Sequence, residues 1–240
     1  MRTAVIIQAR MSSKRLPGKI MQMLGDRPVL AHVLERCKRI EGCDIVICAV
    51  PDEDASLVLE QAARGCGAGV YRGSEHDVLG RYLGAARSAN ADVVMRVTSD
   101  CPLIDPQICG SVLDLRARER ADYVANNMPR SFPHGLDCEA FTTMALAEAD
   151  RSTQEPYDRE HVTPWLRRAS HLRRANLHSG KAELEWHRWT LDYPEDLTFI
   201  RAVFEALPAG SNGEMEDVLD VLAENPHLNE INAGHRAASA

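Results

Sequence analysis

The sequence predicts an α/β fold with a mostly parallel (mixed) central sheet and helices on both faces. Two observations carry this. Residues 3–7 and 44–50 are near-continuous apolar runs instead of alternating ones, as strands buried on both faces must be, and 92–98 reads as a further buried strand. Segments with helical spacing separate such runs, and a β-α-β alternation implies parallel strands joined by crossover helices. With 240 residues and 45% hydrophobic content, one α/β domain with an elaboration accounts for the chain. The expected layout is a single domain over 1–225, an excursion at about 126–190, and a polar, frayed tail over 226–240.

The first strand, 3–7, opens into a polar loop carrying Arg10, Ser12, Ser13, Lys14, Arg15 and Lys19, punctuated by Pro17 and Gly18. Residues 28–40 place Val29, Leu30, Val33, Leu34 and Cys37 at helical spacing, with Lys38 and Arg39 in the last turn, where cations suit the dipole. Strand 44–50 ends at Pro51-Asp52, helix 53–64 follows, and 69–71 is a short strand. Ser74 reads as an N-cap and Asp77 as its capping-box partner for the next helix, with Arg81 structural. Strand 92–98 runs into Ser99-Asp100-Cys101-Pro102, and Asp105-Pro106 has the pattern that starts helix 107–119.

Beyond strand 122–126, residues 126–139 form a long loop rich in turn formers, a feature common at functional sites. A helix over 140–150, another starting at 156, strands over 172–178 and 185–190, a helix led by Pro194 and a last helix over 214–223 complete the expected order.

A net charge of −7 argues against a nucleic-acid face or an anionic membrane surface. Seven Cys with no C-x-x-C pair fit free thiols in a reducing compartment. No leader peptide is recognisable, and no apolar run approaches a membrane span. The expected location is the cytoplasm.

Arg10, Lys14, Arg15 and Lys19 crowd the end of a buried strand, where open α/β sheets bind ligands. A polyphosphate would relieve their repulsion; a solvated basic turn is the alternative. The loop is no P-loop, because Ile20 follows Gly18-Lys19 where Ser or Thr is required. The cluster Gly65, Gly67, Gly69 follows a helix and precedes a strand, the reverse of the dinucleotide fingerprint. Asp100 ends a strand at the same edge with no capping role, which suits a Mg²⁺ ligand completed by substrate phosphates.

The run I-I-Q-A-R-x-x-S-x-R-L-P-G-K resembles the opening motif of the sugar-activating cytidylyltransferases, which include CMP-Kdo synthetases and acylneuraminate cytidylyltransferases. R-G-S-E-x-D-V-L-x-R-Y at 72–82 and F-P-x-G-L-D-x-E at 132–139 resemble the spore-coat-polysaccharide branch in particular. S-D-C-P-L-I-D and T-L-D-Y-P-E-D-L are similar to the family's two acidic motifs. The resemblance implies a Rossmann-like nucleotide-diphospho-sugar transferase fold with a dimerisation and sugar-binding excursion.

Carried over by position, the resemblance makes Lys19, Arg10 and Asp100 catalytic. Ala9, Arg10, Ser12, Ser13, Arg15, Lys19, Arg72, Gly73, Ser74 and Asp100 become nucleotide contacts. Asn126, His134, Gly135, Asp137, Glu139, Arg159 and His161 face the sugar, and Asp100 with Asp192 holds Mg²⁺. The implied reaction transfers CMP from CTP to an acidic or modified sugar and releases pyrophosphate, in a homodimer. A glycosyltransferase using a nucleotide sugar, or a non-catalytic nucleotide-binding protein, is the alternative.

Overall fold

The computed structural model describes residues 1–239; Ala240, the last residue of the expected tail, lies outside them. The strands and α-helices run β1 (Thr3–Gln8), the two-residue pair β2 (Met23–Leu24) and β3 (Arg27–Pro28), α1 (Val29–Lys38), β4 (Ile45–Pro51), α2 (Leu57–Gly65), β5 (Gly69–Gly73), α3 (Val78–Ser88), β6 (Val93–Thr98) and α4 (Pro106–Glu119). There follow β7 (Tyr123–Ala125), β8 (Glu139–Thr142), α5 (Thr143–Ser152), α6 (Pro156–His161), α7 (Pro164–Arg168), β9 (Arg174–Asn176), α8 (Pro194–Ala206) and α9 (Met215–Glu224).

The main sheet has seven strands in the order β5-β4-β1-β6-β8-β7-β9. β1 pairs in parallel with both β4 and β6, while β8 runs antiparallel between β6 and β7. The expected mixed, mostly parallel sheet is therefore present. Alternate strand residues feed opposite faces. Val5, Ile7, Cys48, Val50 and Val97 pack with α1, α2 and α4, whereas Ala4, Ile6, Ile47, Ala49 and Val94 pack with α3, α5 and α7. A third apolar cluster joins Leu24, Val29, Leu103, Trp189 and Leu191 to α8, α9 and Leu228.

From β1 the chain moves outward to β4 and β5, then returns to β1's other side as β6. The carboxyl ends of β1 and β6 therefore flank the point where strand order reverses, the place where such sheets leave a crevice. Gln8 and Thr98 face each other across it in register.

Four expectations change. Residues 139–142 are a central strand instead of the start of a helix, because Ala140 and Phe141 fill opposite sheet faces and pairing with β6 and β7 outweighs local propensity. Residues 185–190 form no strand; a 3₁₀ turn over Ala182–Trp186 leads into a single bridge between His134 and Arg188. Asp77, not Ser74, caps α3, its carboxylate accepting from the Gly80 N–H at 2.9 Å, while Ser74 Oγ accepts from the Asp77 N–H. The segment after 225 is packed instead of frayed: Leu228 and Asn232 are buried, and 3₁₀ turns span Pro226–Glu230 and Ala233–Ser239. Among the described residues no helix is long and apolar enough to cross a membrane.

Candidate active site

Gly18, at φ +65°, takes the left-handed conformation that glycine adopts without cost, and a 3₁₀ turn over Lys19–Met21 follows it. This turn directs Lys19 beneath the crevice, where Nζ lies 2.7 Å from Asp100 Oδ2, 2.9 Å from Asp192 Oδ1 and 2.8 Å from the Leu191 carbonyl. The Leu191 N–H donates to the Asp100 carbonyl at 2.8 Å, and that backbone bond joins the two acidic segments although neither predicted strand 185–190 nor any sheet pairing brings them together. Arg15 reaches the same Asp192 oxygen at 2.7 Å.

The three charged groups are only 14% (Lys19), 25% (Asp100) and 17% (Asp192) exposed. Burial works against each charge, but mutual attraction prevails: Lys19 is raised above the ordinary ammonium range, and Asp100 and Asp192 are lowered by Lys19, Asp192 by Arg15 as well. All three are ionised at neutral pH.

Above this triad opens a cleft of about 790 Å³. Ala9, Arg10, Ser12, Ser13, Arg15, Lys19, Asp100, His161 and Asp192 all line it. Arg10 is 3.8 Å from Glu160, Ser12 Oγ donates to Glu75 at 3.2 Å, and Ser13 Oγ accepts from the Leu16 N–H. Ser74 borders an adjoining hollow that shares Arg10, Glu75, His76 and Glu160 with the cleft. His161 is presented by a tight turn in which Val162 takes φ +70° and the Thr163 N–H donates to the His161 carbonyl at 2.8 Å, a strained γ-turn. That turn and Pro164 split the expected helix at 156 into α6 and α7. Burial lowers the His161 pKa.

Other expected contacts sit elsewhere. Arg72 is bound to Asp52, Glu60 and the Glu53 carbonyl and does not line the cleft, and Gly73 packs against Arg81 and Tyr71. Asn126 is buried, donating to the Leu136 carbonyl and accepting from the Cys138 N–H; it closes the 126–139 loop from within. Glu139 is 1% exposed and accepts from Arg96, Arg167 and Tyr123, leaving no oxygen for a ligand. Arg159 is held by Asp77 and Asp150 in the adjoining hollow. His134, Gly135 and Asp137 do not line the cleft: Arg188 lies 3.4 Å from His134 Nδ1, Arg130 pairs with Asp137, and the Gly135 N–H donates to Asp137 at 3.0 Å.

Several cleft residues had no signal strong enough to single them out: Gln8, Glu75, His76, Arg81, Thr98 and Ser99. Arg81 is the most informative. It is 3% exposed, donates to the Ser74 and Glu75 carbonyls, and forms no ion pair with any described carboxylate. A buried cation bonded only to carbonyls, with its Nε unpartnered, lends the cleft positive potential. The R-x₈-R spacing of Arg72 and Arg81 was visible, but only packing tells which of the two faces the cleft.

A cationic loop at the switch point, a buried acid pair beneath it and a mixed seven-stranded sheet match known proteins. Residues 4–210 match the cytidylyltransferase family model. The chain belongs to the cytidylyltransferase family. A solved cytidylyltransferase from Leptospira borgpetersenii superposes with TM-score 0.88 at 32% identity, covering 95% of this chain and 97% of that one. The spore coat polysaccharide biosynthesis protein SpsF of Bacillus subtilis is 27% identical over 92% of this chain and 94% of its own length. A 3-deoxy-manno-octulosonate cytidylyltransferase from Anaeromyxobacter sp. is 38% identical over 44% of this chain and 43% of its own. Family membership agrees with the motif resemblance, and the fold is the nucleotidyltransferase type that the resemblance implied.

Proposed function

We propose that the protein transfers CMP from CTP to a hydroxyl of an acidic or modified sugar, of the 3-deoxy-ulosonic or nonulosonic kind, for surface polysaccharide or glycan synthesis. One observation supports this above the rest: Lys19, Arg15, Asp100 and Asp192 meet at the carboxyl ends of β1 and β6. The sugar hydroxyl attacks the α-phosphorus in line, the bond from that phosphorus to the bridging oxygen breaks, and pyrophosphate leaves. Little covalent chemistry is asked of the protein, since positioning and charge stabilisation dominate such transfers. Arg10, Arg15 and Lys19 offset the charge that accumulates on the leaving group. Ala9, Ser12, Ser13 and Ser74 line the path of the nucleotide, and His134, Asp137 and His161 border the acceptor's side.

The residues fit Mg²⁺. The Lys19 ammonium lies within 2.9 Å of one oxygen from each of two carboxylates, so Asp100 and Asp192 converge on a single cation-sized point. No group of three or more potential ligand side chains is found among the described residues. Two carboxylates with phosphate oxygens completing the shell is the usual arrangement for magnesium. When bound, the ion would polarise the α-phosphate. Lys19 and Arg15, which line the same cleft, would then be free to hold the triphosphate.

The resemblance of the 126–190 excursion to the family's dimer-forming segment supports a homodimer, and free thiols at all seven cysteines support a reducing cytoplasm. The decisive assay offers each of the four nucleoside triphosphates with a panel of 3-deoxy and nonulosonic acids and follows Mg²⁺-dependent pyrophosphate release. Activity with CTP is the expected result. Release of a nucleoside diphosphate from a nucleotide sugar, with no pyrophosphate from CTP, would assign the cleft to a glycosyltransferase instead.

A further inference from the structure

The geometry points to Asn232, on the segment after α9, as a positioning residue for the Asp192 carboxylate. This rests on the reading of Asp192 as a metal-site acid. Asp192 has two oxygens with separate duties: Oδ1 faces Lys19 and Arg15 in the cleft, while Oδ2 accepts from Arg188 at 3.2 Å. Arg188 is in turn clamped by Asp196 through two parallel bonds of 2.9 Å, from Nε to Oδ1 and from a terminal nitrogen to Oδ2. Such a fork fixes the guanidinium plane as well as its position. Asp196 also accepts the Asp192 and Tyr193 N–H groups at 2.9 and 3.0 Å, so it orients both the backbone and the side-chain support of Asp192.

Asn232 locks this pair from the far side. Its amide donates to the Arg188 carbonyl at 2.9 Å and to Asp196 Oδ1 at 3.0 Å, and the residue is 2% exposed. Among the described residues, Asn232 is thus the one residue outside 188–196 whose side chain bonds to Asp196. Three residues further on, the His235 ring stacks on Tyr193 at 3.9 Å, and the Arg15 guanidinium lies 5.0 Å from that same ring. A segment about 40 residues downstream of the acidic motif therefore braces both Asp192 and the cation opposite it. Partners that orient metal-ligating carboxylates typically change metal affinity 10- to 100-fold. Asn232 acts one bond further out, so an effect of about 5- to 10-fold is expected.

The test uses the full chain carrying Asn232→Leu, which keeps side-chain size and removes both donors. Val221→Ala, in the apolar cluster against which neighbouring Ile231 packs, removes no bond to Asp196 and is the comparison for lost packing alone. Mn²⁺ binding in the presence of CTP is followed by electron paramagnetic resonance, beside thermal unfolding and a crystal structure of the Asn232→Leu protein. The expected result is about 5- to 10-fold weaker Mn²⁺ binding in Asn232→Leu, with Val221→Ala at the wild-type value despite its lower Tm, and a displaced Asp192 carboxylate in the crystal. Equal losses of Mn²⁺ affinity in both variants, or an Asp192–Arg188 contact unchanged in the crystal, would overturn the proposal. Asp192→Asn separates the two levels. If it binds Mn²⁺ like wild type, the metal reading of Asp192 falls, and the crystal structure alone judges the role of Asn232.

Discussion

A single ammonium between two carboxylates is the unit on which the proposed chemistry turns. With Lys19 at 2.7 and 2.9 Å from Asp100 and Asp192, the ligand-free protein neutralises an acid pair that would otherwise repel itself in a half-buried setting. The same ammonium is within a side-chain rotation of the cleft that the triphosphate would fill. Lys19→Ala and Asp100→Ala should each cut turnover roughly 100-fold or more while the circular dichroism spectrum is retained. Wild-type rates in either variant would dismiss the assignment. Arg72 makes the opposite prediction. Its guanidinium is spent on Asp52 and Glu60, so Arg72→Ala should leave the KM for CTP within about 2-fold of wild type, the residual change reflecting a loosened β5 edge.

At the scale of elements, β8 and the loop before it order the segment proposed to face the acceptor. Glu139 begins β8 beneath Arg96 and Arg167. Burial pushes its carboxyl upward, yet the two guanidiniums prevail and hold it at about 2, against an ordinary value of 4.5. A depressed carboxylate contributes stability that is complete above the unfolded value and is lost as pH falls towards the folded one. Urea midpoints of wild type and Glu139→Gln should therefore differ most at pH 7, by a stability of about 3–5 kcal/mol, and converge between pH 4.5 and 2. A gap that widens on acidification would contradict the network. Gly135 sits at φ +116°, and a Cβ there would lie 2.5 Å from the Trp189 carbonyl carbon. Both the conformation and the space exclude a side chain. Gly135→Ala should cost about 3 kcal/mol in chemical denaturation and pull the His134–Arg188 bridge apart.

Across the whole molecule, five of the seven thiols, Cys37, Cys48, Cys101, Cys109 and Cys138, are buried in the one cluster that α1, α2 and α4 form against a single sheet face. Burial lifts the thiols of Cys37 and Cys101 well above their ordinary value and that of Cys48 to about 12. Iodoacetamide at pH 8 should label Cys43 and Cys66, which are partly exposed, in the native protein, and the other five only above the unfolding midpoint, as read by mass spectrometry. Early labelling of Cys48 would mean that the β4 core opens on its own.

Strands 3–7, 44–50 and 92–98 and the cationic loop were legible because burial on both faces and charge crowding leave their mark within a few adjacent residues. The same local character made Asp100 stand out, and the Asp105-Pro106 start of α4 with it. The rest depends on contacts between distant segments. Whether residues 139–142 become strand or helix is set by β6 and β7. Whether Arg72 or Arg81 faces the cleft is set by Asp52 and Glu60, and whether the last segment frays is set by Asp196 accepting from Asn232. The amino-acid sequence alone determined the α/β architecture, the crowded cationic loop and the acids worth watching. Only the tertiary structure decided which charges are free to meet a ligand, because a side chain's partners are chosen by the fold and leave no periodicity in the chain.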